Sequence, residues 1–194
     1  MNDIDIEYKI REESISRLPE YSEIPIWFEV RSIFDIEGDD PQSALLVEKP
    51  IESPWIKDYD AFKGEGPTRW PKLWDVSNWG LLAAYFDRRW IAGCVLAYKT
   101  EGVNKLEGRD DVVFIWDIRV HPDYRQQGIG RELFAAAIQW TKHKQCLELK
   151  VETQNINVPA CRFYRRQGCR LIALDRFAYD DFPEEVELIW GITL

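Results

Sequence analysis

The chain has 194 residues, a formal net charge of −9 and 45% hydrophobic residues, nine of them tryptophan. This describes a folded protein with a sizeable core, and its charge would repel both nucleic acid and anionic membrane, so neither is expected as a partner. The longest apolar runs are far too short to cross a bilayer, and Met1–Asp5 lacks a basic, then apolar, leader, so a cytoplasmic location is expected.

In chain order, Ile4, Ile6, Tyr8 and Ile10 alternate with charged residues and predict a half-buried first strand. Residues 12–24 read as partly helical, with a break at Pro19, and residues 25–36 read as a strand. Residues 38–41 form a turn, and residues 44–47 suggest a short strand. Between residues 50 and 80, Pro50, Pro54, Gly64, Gly66, Pro67 and Pro71 argue for loops. Trp55, Trp70, Trp74 and Trp79 argue that these loops pack down, either around the core or as a wall over a substrate cleft. Residues 81–99 read as a hairpin turning at Asp87-Arg88-Arg89, followed by a polar connector from Gly102 to Asp111. A β-branched run at 112–120, a helix over about 128–143, a strand over 146–153, a short helix, and strands at 169–175 and 186–193 complete the pattern. The expected class is α/β, with a mixed sheet flanked by helices.

The four cysteines show no C-x-x-C pairing and, with two histidines, make no zinc pattern, so neither a metal nor a disulfide is assigned. Cys94, Cys146 and Cys169 lie in apolar strand contexts and are expected to be buried thiols.

The most informative stretch is VVFIWDIRVHPDYRQQGIG, residues 112–130. A strand, a glycine-containing turn and a helix start present outward main-chain N–H groups and the positive end of a helix dipole, an arrangement suited to phosphate. Gly128 and Gly130 permit close approach, and Arg125 and Arg131 add charge. A Walker loop is excluded because Arg131-Glu132 follows Gly130, and a dinucleotide fingerprint is excluded because its third glycine is absent. Taken alone, the turn could be a strand-to-helix connection with no ligand.

Arg125-x-x-Gly128-x-Gly130 in this setting resembles the acyl-CoA loop of the GNAT superfamily of N-acetyltransferases. Asn157-Val158-Pro159-Ala160-Cys161-Arg162-Phe163-Tyr164, followed by Gly168, resembles that superfamily's N-x-x-A-x-x-[LF]-Y…G segment. Residues 151–164 (VETQNINVPACRFY), residues 175–179 (DRFAY), and more faintly residues 31–36 and 53–59 are similar to the streptothricin acetyltransferase branch. The resemblance implies a GNAT-like mixed sheet with acyl-CoA between two splayed central strands. It implies one domain over residues 1–194, with a variable part at 1–79 and an acyl-CoA-binding core at 80–194. It also implies acetyl-CoA as co-substrate. Ile118, Arg119, Val120, Arg125, Gln126, Gln127, Gly128, Ile129, Gly130 and Arg131 would hold it, together with Asn157 on the pantetheine arm and Ala160 leaving room for that arm. Tyr164 would be the acid that protonates the departing thiolate, and a main-chain donor near residues 118–120 would face the oxyanion.

The base is open at this point. Asp117 stands in an apolar strand, where a carboxylate needs a role or a partner. It is either a base or substrate anchor, or the ion-pair partner of Arg119 or Arg162. Pleating puts it on the face opposite Trp116 and Ile118. Glu152 is the second candidate. Asp175, Asp180, Asp181, Glu184 and Glu185 form an acidic stretch that is either a solvated face or a receiver of a polycationic amine, with Tyr179 and Phe182 as wall residues. The expected activity is direct acetyl transfer to a primary amine of a small cationic acceptor, streptothricin-like. The alternatives are a protein or peptide acceptor, or a silent acyl-CoA-binding module. A homodimer is compatible with the sequence.

Overall fold

The computed structural model describes residues 8–61 and 66–194. In chain order its strands are β1 (Lys9–Glu13), β2 (Phe28–Glu37), β3 (Leu45–Lys57), β4 (Gly80–Phe86), β5 (Arg89–Ala97), β6 (Val112–Val120), β7 (Glu148–Gln154), β8 (Arg170–Asp175) and β9 (Glu187–Thr193). The helices are α1 (Leu18–Tyr21), α2 (Trp70–Leu73), α3 (Ile129–His143) and α4 (Val158–Arg166). The chain divides into two compact units. The first is Met1–Ile26 with Tyr59–Leu147, and the second is Trp27–Asp58 with Glu148–Leu194. No helix among the described residues is long and apolar enough to cross a membrane.

In the first unit β1, β4, β5 and β6 form an antiparallel sheet in that order. The β4–β5 hairpin closes at Asp87 and Arg88, both at positive φ (44° and 65°), the conformation that matches strand twist in a two-residue turn. Arg89, read as part of the turn, begins β5. Helix α3 lays Ile129, Leu133, Phe134, Ala137, Trp140 and Thr141 against β4, β5 and β6, as its three- and four-residue spacing requires. Glycines make two close approaches possible. A Cβ on Gly80 would lie 2.6 Å from the Trp140 ring, and one on Gly93 would lie 2.6 Å from the Tyr21 ring and 2.8 Å from the Leu82 carbonyl. Pro19 does not break the region it sits in, because it occupies the first turn of α1, where a missing N–H costs nothing. Of the expected first strand, Ile4 and Ile6 lie outside the described residues, and β1 begins at Lys9.

In the second unit β7, β9 and β8 form an antiparallel sheet in that order, and β2 with β3 forms a separate two-stranded ribbon. Here the loop reading of the 50s fails. Strand β3 runs thirteen residues and contains both Pro50 and Pro54. A two-stranded ribbon leaves one edge of each strand unpaired, so a proline can place its missing N–H on the open side. The ladder also slips between Val30 and Ser32, opposite this part of β3. Asn155, just past β7, joins three segments. Its main chain donates to Val186 O (3.0 Å) and accepts from Phe34 N (2.9 Å). Its side chain donates to Phe34 O (3.1 Å) and accepts from Val186 N (2.9 Å).

All four thiols are buried, Cys161 along with the three expected to be. Burial raises the pKa of each, to about 12 for Cys161 and Cys169. A disulfide-exchange reagent at pH 8 should therefore find no fast thiol in the native protein and four in denaturant. Gly93→Ala should lower stability by about 1–3 kcal/mol in urea unfolding, because the Leu82 carbonyl that the new methyl meets is backbone and cannot swing away.

Candidate active site

The β6–α3 turn of the first unit is built as the sequence suggests. Residues Pro122–Tyr124 form one 3₁₀ turn, Gln126 sits at φ 63°, and Gly128 caps α3 at φ 84°. The Gly128 carbonyl accepts from Arg131 N (2.9 Å) and Glu132 N (3.2 Å). The N–H groups of Gly128, Ile129 and Gly130 precede the first intrahelical bonds and have no partner within the helix. A Cβ on Gly128 would meet nothing nearer than the Arg131 guanidinium, at 3.9 Å, so the main chain is open to a ligand. Arg131 is exposed beside Glu132, at 3.2 Å. Arg125 does more than add charge: its Nε donates to Val120 O at 3.0 Å, tying the turn to the end of β6. Its half-burial lowers its pKa from the usual guanidinium value.

On β6, Ile118, Arg119 and Val120 pair with Cys94, Gly93 and Ala92, and the register shifts at Trp116, between Ile115 and Asp117. This bulge bends the strand and takes one residue out of the ladder. Trp116 then meets Trp70, Trp74 and Trp79, with ring centroids 4.9 Å (Trp74), 5.4 Å (Trp79) and 6.5 Å (Trp70) away. Trp70 and Trp79 are buried, whereas Trp55 on β3 is exposed. Three of the four tryptophans in the 50–80 segment thus form one packed cluster.

Asp117 is engaged by its neighbours. Arg119 grips it with Nε to Oδ1 (2.9 Å) and Nη2 to Oδ2 (2.6 Å), and Tyr21 donates its hydroxyl to Oδ1. Arg119 also donates to Asp60 Oδ2 (2.7 Å) and to Ile24 O (3.0 Å), and its guanidinium carbon lies 4.9 Å from the Tyr21 ring centre. The Arg119 side chain is 0% exposed and that of Asp117 is 7% exposed. Burial alone would weaken the guanidinium charge, but the Asp117 carboxylate outweighs it and the net shift is upward. Tyr21, fully buried beside that carboxylate, is pushed well above the usual phenol value. Arg162 pairs instead with Glu48, in the second unit.

In the second unit, α4 has Asn157 as its N-cap, with the side-chain oxygen accepting from Ala160 N at 3.2 Å. Pro159 falls in the first turn, and Gly168, at φ 89°, lies just beyond the helix end. Tyr164 is 4% exposed and shares the buried face of α4 with Val158 and Cys161. Glu152, half-buried on β7, accepts a hydrogen bond from the Tyr179 hydroxyl at 2.7 Å. Gln154 Nε2 donates to the Tyr179 oxygen at 2.9 Å and lies 3.4 Å from Glu152.

Residues 34–169 match the family model "Acetyltransferase (GNAT) family". A streptothricin acetyltransferase of Escherichia coli is 33% identical over 84% of this chain and 83% of its own. Streptothricin acetyltransferase A of Bacillus subtilis (strain 168) is 40% identical over a shorter stretch, 39% of this chain and less than half (45%) of that relative. Among solved structures, a candidate streptothricin acetyltransferase of Bacillus anthracis in complex with acetyl coenzyme A superposes with a TM-score of 0.73 at 23% identity, covering 97% of this chain and 100% of that one. The chain belongs to the GNAT acetyltransferase family.

The α/β class read from the sequence, with helices flanking a mixed sheet, is that of this family. For a GNAT chain, several engaged residues had no visible sequence signal. Nothing in the sequence links Tyr21 or Asp60 to a strand near residue 117. Tyr179 and Asn155 did carry a signal, since they fall inside the DRFAY and VETQNIN segments, but pattern alone gives them no contact. Arg119→Met should cost about 3–5 kcal/mol in urea unfolding, because it leaves the buried Asp117 carboxylate without its cation.

Proposed function

We propose that this GNAT enzyme transfers an acetyl group from acetyl-CoA directly to a primary amine on a small cationic molecule of the streptothricin type. Likeness to streptothricin acetyltransferases along most of the chain supports the acceptor class, and the formal charge of −9 is compatible with it. The open main chain at Gly128, at the start of α3 with Arg131 beside it, suits a diphosphate and supports acetyl-CoA as co-substrate. Acetyl-CoA supplies a thioester, which offers an acyl carbon to an amine and releases a thiolate.

A lysine-like amine has a pKa of about 10.4 and is mostly protonated at neutral pH, so the enzyme must remove a proton before attack. The observation that carries the assignment of the base is how Asp117 is engaged. Asp117 has both oxygens committed to the Arg119 guanidinium and acts structurally, holding β6 in place. That leaves Glu152, half-buried on β7 and accepting from the Tyr179 hydroxyl, as the carboxylate that takes the amine proton. The main chain around Ile118–Val120 provides a donor for the oxyanion. Tyr164 returns a proton to the leaving sulfur. Asn157, whose oxygen caps α4, keeps its NH₂ group for the pantetheine amides.

Isothermal titration should show acetyl-CoA binding to the wild type, and thiol release should follow on adding streptothricin. Tyr164→Phe should leave CoA affinity within about two-fold and lower turnover by roughly 10²-fold, as expected for loss of a general acid. Wild-type turnover in that variant would remove Tyr164 from the chemistry.

A further inference from the structure

The second unit holds an open cleft of about 500 Å³, lined by β2, β3 and the segment that joins β8 to β9, residues 176–186. That is the size of pocket that takes a small organic molecule. Phe34 and Ile36, both buried, give it an apolar wall. The 176–186 segment has no regular secondary structure, yet it is fastened at both ends. At its start Arg176 donates to Ile36 O (2.9 Å) and Gly38 O (3.0 Å) and pairs with Asp39 (3.2 Å). Near its end Glu185 pairs with Lys57 at 2.5 Å, and the same ammonium lies 3.7 Å from the centre of the Phe182 ring. Val186 is held by the Asn155 side chain.

Four charged side chains line the cleft: Asp35, Lys49, Arg176 and Glu184. Lys49 is ion-paired with Asp35. Arg176 is matched by Asp39 and two carbonyls. Glu184 is exposed and has no hydrogen bond or ion pair among the described residues. One carboxylate is therefore left over. Phe177 lines the same cleft and is 88% exposed. Its N–H donates to Asp175 Oδ1 (2.8 Å), and the fastened Arg176 precedes it, so its ring is held at the cleft rather than packed away. A carboxylate and an open aromatic ring in one apolar-walled cleft suit an organic cation, through an ion pair and a cation–π contact. An anionic ligand would find both cations already matched.

The same segment reaches Glu152. Tyr179, whose hydroxyl donates to Glu152 at 2.7 Å, stands between Phe177 and Glu184 in the chain. Asn155, which also lines the cleft, follows Glu152 by three residues, a reach of about 10 Å at most.

We propose that the cleft seats a second cationic group of the acceptor, with Glu184 as its counter-ion and Phe177 against it. The inference rests on the reading of the acceptor as a small cationic amine that reacts beside Glu152. It narrows that class to molecules whose second cationic group lies on the order of 10 Å from the reacting amine.

The test is isothermal titration of streptothricin, a polycationic amine, into the full chain saturated with CoA, followed by thiol-release kinetics with acetyl-CoA. Glu184→Gln should weaken streptothricin binding about ten-fold and raise its KM alike, the order expected when one charge-assisted contact is lost. Phe177→Leu should weaken binding about five-fold. In both variants kcat, the KM for acetyl-CoA and the melting temperature should stay at wild-type values. Glu52→Gln removes the same charge from an exposed position on β3 outside the cleft and should change none of these. Wild-type binding in either cleft variant, or an equal loss in Glu52→Gln, would overturn the role of the cleft and leave the acceptor class standing. Absence of both streptothricin binding and thiol release in the wild type would overturn the acceptor class, and the occupant of the cleft with it.

Discussion

Arg119 carries a full positive charge into a place without solvent. Removing a guanidinium from water costs several kcal/mol unless its donors and charge are matched. The first unit meets that demand with two carboxylates, a main-chain carbonyl and the face of a phenol. Much of the local design follows. Gly93 has no side chain because the Tyr21 ring needs the space. Helix α1, only four residues long, places that ring, and Asp60 comes from the segment after β3. Past the bulge at Trp116, Asp117 and Arg119 are two residues apart on β6 and share a face, where they pair.

Regular elements with local signatures were legible in the sequence. Strand β6 begins and ends at the expected residues, because an uninterrupted β-branched run is bounded on one side by polar residues and on the other by His121-Pro122. Helix α3 starts within a residue of expectation because Gly128 marks its cap. Strand β3 was not legible. Its prolines are turn signals in most contexts, and only the partner strand β2, thirteen or more residues away, makes an open ribbon edge that tolerates them. The charged strand β6 was visible too, but not how its carboxylate is engaged. The partners of Asp117 include Tyr21, 96 positions away, a separation over which no periodicity operates. The open question between a base and an ion pair could not be narrowed without that contact.

Two carboxylates in one chain illustrate how environment divides labour among identical groups. Asp117 is held by a cation, which spends its charge and occupies both oxygens. Glu152 is half-buried on β7 and accepts from the Tyr179 phenol. A phenol brings a hydrogen bond to a carboxylate without the formal charge that a guanidinium brings. The cost moves into the backbone. A tyrosine in an irregular segment has no fixed position of its own, so the segment must be pinned at Arg176, at Phe182 and Glu185, and at Val186. The buried Lys57–Glu185 pair, expensive as a stabilising device, is explained on these terms by what it fixes in place.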